Sequence, residues 1–101
     1  MRMLTGFAVS FLIFWAQPAF AAIDCSRAIS NADKVVCSSS RAAAAENYMA
    51  RSFRNAMKRG VDPLFLRDTQ RAWKETVRDI CNTVDCLMDA YLGRAAELDG
   101  L

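Results

Sequence analysis

Four cysteines, Cys25, Cys37, Cys81 and Cys86, constrain this chain more than any other feature. In a small exported protein an even set of thiols reads as a disulfide framework. Four cysteines admit three pairings. The local one, Cys25–Cys37 with Cys81–Cys86, is favoured because each pair is close in sequence and the two pairs lie at opposite ends of the domain. Closing such loops is worth about 2–3 kcal/mol each by chain entropy. Metal and redox uses fit less well. Structural zinc sites favour C-x2-C spacings, and Cys81-Asn82-Thr83-Val84-Asp85-Cys86 is C-x4-C, not the C-x-x-C of thiol oxidoreductases. No metal and no cofactor is expected.

The N-terminus reads as an export signal. Arg2 precedes an apolar run from Phe7 to Ala16, then Gln17 and Pro18, then Ala19-Phe20-Ala21. Small residues at the −3 and −1 positions predict cleavage after Ala21. The ten-residue run is too short to cross a hydrocarbon core of about 30 Å, so no stable membrane anchor is expected. Asp24 beside Cys25 argues against lipid attachment there. The predicted mature protein is one domain over 22–101, exported and periplasmic. Losing Arg2 leaves 12 basic residues of the original 13 against 11 acidic ones, a net charge of +1. A charge that small, in an exported protein, predicts no nucleic-acid partner.

Composition narrows the chemistry. The chain has no His, which removes Ser-His-Asp and Cys-His nucleophiles and His-ligated zinc. Only four Gly are present, and none forms a phosphate-binding loop. Glu46, Asp62 and Asp85 fall on separate segments with no spacing that suggests a glycosidase pair. The reading is a non-enzymatic protein with no catalytic residue.

Helix-forming residues dominate the rest, and runs of β-branched residues are absent. A short helix is predicted over 31–37, capped by Ser30 or Asn31. A second is predicted over 40–59, capped by Ser39 or Ser40 and stopped by Gly60, with Ala42, Ala45, Met49, Phe53, Ala56 and Met57 inward. A third is predicted over 63–81, with Asp62 as cap and Pro63 first, and with Phe65, Thr69, Ala72, Trp73, Thr76, Val77 and Ile80 inward. A fourth is predicted over 84–98, with Val84, Leu87 or Met88, Tyr91, Ala95 and Leu98 inward and Gly93 permitting a close crossing. Short connections make neighbours antiparallel. The expected fold is all-α: a small disulfide-stapled helical hairpin or bundle of three to four helices, with Phe53, Trp73 and Tyr91 in its core. Trp73 and Tyr91 are read as core rather than as a ligand-stacking pair, and Met49, Met57 and Met88 as filler.

Several of these features recur in one order: Asp24-Cys25, Lys34-Val35-Val36-Cys37-Ser38, Gln70-Arg71-Ala72-Trp73, Arg78-Asp79, Cys81, and Cys86-Leu87 leading through Tyr91 and Arg94 to Leu98. This set, spanning about 24–98, resembles the lysozyme inhibitor LprI-like N-terminal domain family of small exported helical domains with four cysteines. Three departures stand out. Ala42-Ala43-Ala44-Ala45-Glu46 replaces the usual L-x-x-L-D, which predicts a thinner or closer-packed core. The Arg78-Asp79 pair stands one residue further from Trp73 than in many members. The Cys81–Cys86 gap is one residue shorter than a common form.

The resemblance implies binding and inhibition of a lysozyme-type enzyme, for which occlusion of the enzyme's cleft is the expected mode. Such enzymes are commonly basic and call for an acidic inhibitor surface. The sequence instead displays a basic stripe on the third helix, Arg67, Arg71, Lys74 and Arg78, with Arg51, Arg54, Lys58 and Arg59 on the second. The usual role of such a stripe is a solvated face carrying pairs such as Asp68–Arg71 and Arg71–Glu75. Its functional role would be attraction to an anionic envelope component, the alternative partner class. Recognition loops are expected at Arg59-Gly60-Val61-Asp62 and over 82–85.

Overall fold

A computed structural model describes residues 23–101; the predicted export signal and its cleavage site after Ala21 lie outside the described residues. A single 3-10 turn, Cys25–Arg27, leads into α1 (Asn31–Ser38), α2 (Ser40–Lys58), α3 (Pro63–Trp73) and α4 (Val84–Asp99). A π-helical turn, Lys74–Arg78, extends α3. Among the described residues there is no strand.

Each helix starts where a short polar side chain satisfies an orphan N–H group. Ser30 accepts from the Asp33 amide at 3.0 Å, and Ser39 from that of Ala42 at 3.2 Å. Asp62 accepts from Phe65 at 3.1 Å, and Thr83 from Cys86 at 3.1 Å. α2 stops at Gly60, whose φ of 90° suits a residue without Cβ. There the Gly60 amide donates to the Met57 carbonyl and the Val61 amide to that of Ala56, the paired bonds of a Schellman motif.

The bundle runs up, down, up. Arg41 approaches Asp85 at the N-terminal ends of α2 and α4, and the Arg59 guanidinium donates to the Leu98 carbonyl at their C-terminal ends. α2 and α4 are therefore parallel, and α3 returns between their ends. α2 and α4 share the most extensive seam. Ala42, Ala45 and Ala56 on α2 and Ala90 and Ala95 on α4 are all buried in one core. Small side chains at a seam let two helix axes come close. α1 lies across the far end, held by Asn31–Asn82 and Asp33–Arg78 hydrogen bonds. The disulfides are Cys25–Cys37 and Cys81–Cys86. The first ties the N-terminal segment to α1, and the second closes the turn into α4.

Trp73 and Tyr91 are buried with ring centroids 5.7 Å apart, and Phe53 is half-buried at the core edge. Three expectations are corrected. Met57 is 49% exposed. A Cβ at Gly93 would meet nothing within 4 Å, so no helix crosses closely there. The largest correction concerns the third helix: Phe65, Ala72, Thr76, Val77 and Ile80 face outward, and the buried residues are Leu66, Trp73, Arg78 and Cys81. Two causes account for it. Phe65 and Leu66 compete for one inward position and Leu66 takes it. Past Trp73, the Asp79 amide reaches back five residues to the Lys74 carbonyl at 2.8 Å, so the helix carries one extra residue in that turn. Arg78, not Val77, then comes round to the core.

Candidate functional site

Several conspicuous polar residues of α3 and α4 converge on the interior. The buried Arg78 guanidinium donates through Nε to the Tyr91 hydroxyl at 2.9 Å, through Nη1 to Asp79 at 2.8 Å, and through Nη2 to Asp33 of α1. Burial disfavours its charge, but the Asp33 hydrogen bond and the Tyr91 contact outweigh that, and its pKa sits above the ordinary arginine value. Tyr91 is pushed above its ordinary value of 10.0, first by burial, with Arg78 pulling the other way. One helix turn along, the buried Arg94 donates to Gln70 at 2.8 Å, to Thr69 at 2.9 Å and to Glu97 at 3.2 Å. Gln70 in turn donates to the Met49 thioether at 3.1 Å. Gln70, Trp73, Arg78, Asp79, Tyr91 and Arg94 are thus a scaffold cluster. Each buried cation is surrounded by acceptors, the condition under which burial of a charge is tolerated.

This corrects the basic stripe. Arg78 is 3% exposed and has no access to a partner. Arg71 pairs with Asp68 at 3.1 Å and Lys74 with Asp79 at 3.5 Å, which leaves Arg67 alone of the four exposed without an ion-pair partner among the described residues. Arg78 and Asp79 pair with each other, and Arg78 also reaches Asp33 of α1. On α2, Arg51, Arg54 and Lys58 are exposed, share a face and have no ion-pair partner among the described residues.

The predicted loops are pinned. Arg59 is held by Leu98, and Asn82 accepts from Asn31 at 3.2 Å. The acidic face lies elsewhere, on α4. Asp85, Asp89, Leu92, Ala96 and Asp99 recur at steps of four, three, four and three, and all are exposed. The only cation of α4, Arg94, is buried. Asp89 and Asp99 have no ion-pair partner among the described residues, and the exposed Asp85–Arg41 approach is long at 3.9 Å. Beside Asp89 opens a shallow cleft of about 290 Å³ lined by Val77, Ile80, Cys81, Cys86 and Ala90. Ile80 is 70% exposed at its edge. Sequence reasoning missed this stripe because it weighed the cations of each helix and not the anions. The helical spacing of Asp85, Asp89 and Asp99 was the signal that could have found it.

Among the described residues no group of His, Cys, Asp or Glu could hold a metal ion, and no helix is long and apolar enough to cross a membrane. Comparison with family models, with curated proteins and with solved structures finds no match for this chain.

Proposed function

We propose that this protein is an exported, periplasmic binding protein of the cell envelope that docks on a basic lysozyme-type enzyme and occludes its cleft. The observation that carries the reading is the exposed acidic stripe of α4 beside the apolar edge of Ile80 and Val77. An apolar centre with a charged rim is the usual anatomy of a protein interface, and complementary charge speeds encounter and fixes orientation. Two disulfides fit an oxidising compartment. The resemblance supports the reading through the scaffold: its motif residues hold the helices in register and leave α4 free to present its outer face. The test is muramidase activity titrated with the oxidised protein against several lysozyme classes. The expected result is stoichiometric inhibition of at least one class. No inhibition at large molar excess would refute the proposal.

A second reading is favoured by Arg51, Arg54, Lys58 and Arg67, exposed and without ion-pair partners among the described residues: attachment to an anionic envelope surface. Binding to phosphatidylglycerol vesicles that vanishes at high salt is its test.

A further inference from the structure

Between α2 and α3 lies an open slot of about 240 Å³, lined by Glu46, Met49, Ala50, Phe53, Arg54 and Gln70. Its floor is apolar: Met49 is buried, and Ala50 and Phe53 are half-buried. The apolar row continues past the slot to the exposed Met57, since Ala50, Phe53 and Met57 follow steps of three and four. One position further round the helix at each step stand Arg51, Arg54 and Lys58, all exposed. Across the slot, the exposed Arg67 lies one turn before Gln70 on the same face of α3. An apolar trough is therefore margined on its α2 side by cations that have no ion-pair partner among the described residues. The polar groups inside it are occupied. The Gln70 amide is committed to Arg94 and Met49. Glu46 is buried and engaged within the fold.

We propose that this slot binds a single-chain anionic amphiphile, of which a fatty-acid carboxylate is the simplest. The head sits on Arg54 and the tail lies along Met49, Ala50 and Phe53. Charge complementarity selects an anionic head, and the floor selects a tail with no hydrogen-bonding groups. A peptide strand in the same trough would bring amides that find no partners there, which is unfavourable. A two-chain lipid does not fit, because the volume lies below the roughly 300–1,000 Å³ of ordinary ligand pockets. The unbranched Met49 side chain can adjust to a tail of variable course. The site uses the same cations as the second reading above but a different partner, and it is independent of the inhibitor reading, whose surface is on α4.

The test is calorimetric titration of the oxidised protein with octanoate, decanoate and dodecanoate below their micellar concentrations. Decanol, a neutral amphiphile, and phosphatidylglycerol vesicles serve as comparison arms. One-to-one saturable binding is expected, tightening by about fourfold for each added methylene until the slot is full. Arg54→Glu should weaken decanoate binding by about tenfold or more, and decanol should be comparably weak. Ala50→Leu, which fills the trough, should abolish binding while the far-ultraviolet circular dichroism stays unchanged. The Met49 methyl resonance of the unmodified protein should shift on adding decanoate, a readout that does not depend on any variant folding. Absence of saturable binding, equal affinity for decanol, shifts confined to other residues, or binding to vesicles alone would each overturn the proposal.

Discussion

Arg78 shows how one side chain can be prominent in a sequence and invisible in its role. A cation following Arg67, Arg71 and Lys74 at helical spacing reads as a fourth surface charge. Two of its three acceptors, Asp33 and the Tyr91 hydroxyl, lie 45 residues upstream and 13 downstream, beyond what local periodicity can report. Removing one partner of a buried ionic cluster leaves the other charges uncompensated and typically costs about 3–5 kcal/mol. Arg78→Ala should lose about that much stability in urea unfolding. Arg78→Lys should recover little of it, because a single ammonium cannot reach Tyr91, Asp79 and Asp33 together as the planar guanidinium does. A loss below about 1 kcal/mol in either variant would place the cluster outside the stabilising core. Tyr91 sets a pH limit at the same site. Its pKa is raised, so the folded state holds the phenolic proton more tightly than the unfolded chain. Stability is therefore unaffected by this group below about pH 10 and falls as pH rises above it. Tyr91→Phe, which cannot ionise, should flatten that alkaline decline in a series of thermal melts. An equal decline in both proteins would assign it to another group. Trp73 and Tyr91 were legible as core because large aromatics at helical spacing among apolar neighbours have few other uses. Arg78 was not, since a polar core residue is recognisable only together with its partners.

The helices themselves were legible almost to their ends. Ser39, Asp62 with Pro63, and Gly60 punctuate the chain by local chemistry alone, and local chemistry survives folding. The inward face of α3 was not legible. Two adjacent apolar residues, Phe65 and Leu66, offered two phases for the same periodicity, and the π turn then shifted the phase again. That turn carries an element-scale prediction. Deleting Thr76, exposed within it, should convert it to ordinary α-helix and still deliver Arg78 inward, one regular turn after Trp73. Deleting Thr69 instead removes a residue from regular helix and rotates Leu66 by about 100° relative to Trp73. Guanidinium unfolding should therefore show a cooperative transition near the parent midpoint for the Thr76 deletion and a large loss for the Thr69 deletion. Equal damage from the two would mean that the π turn is needed for more than register.

At the scale of the whole molecule the informative quantity is the arrangement of charge, which a net of +1 for residues 22–101 conceals. Folding buries Arg78 and Arg94, pairs Arg71 and Lys74, and separates what is left. The exposed cations of α2 have no exposed acid on their helix, because Glu46 is buried. α4 is the reverse, with Arg94 inside and Asp85, Asp89 and Asp99 outside. The basic stripes of the second and third helices suit a basic enzyme poorly; the acidic outer face of α4 is the one attractive face the folded surface offers it. Charges at an interface act mainly on the rate of encounter, and salt screens them. The most direct measurement is the association rate constant for a basic lysozyme at low and at physiological ionic strength. It would be made for the parent, for Asp85→Lys with Asp89→Lys, and for Arg51→Glu with Arg54→Glu as a control. Saturable binding by the parent is expected, with an association rate about tenfold or more lower for the α4 double variant at low salt and no slowing in the α2 control. An α4 variant that associates as fast as the parent, or a parent that does not bind, would contradict the proposed docking through α4.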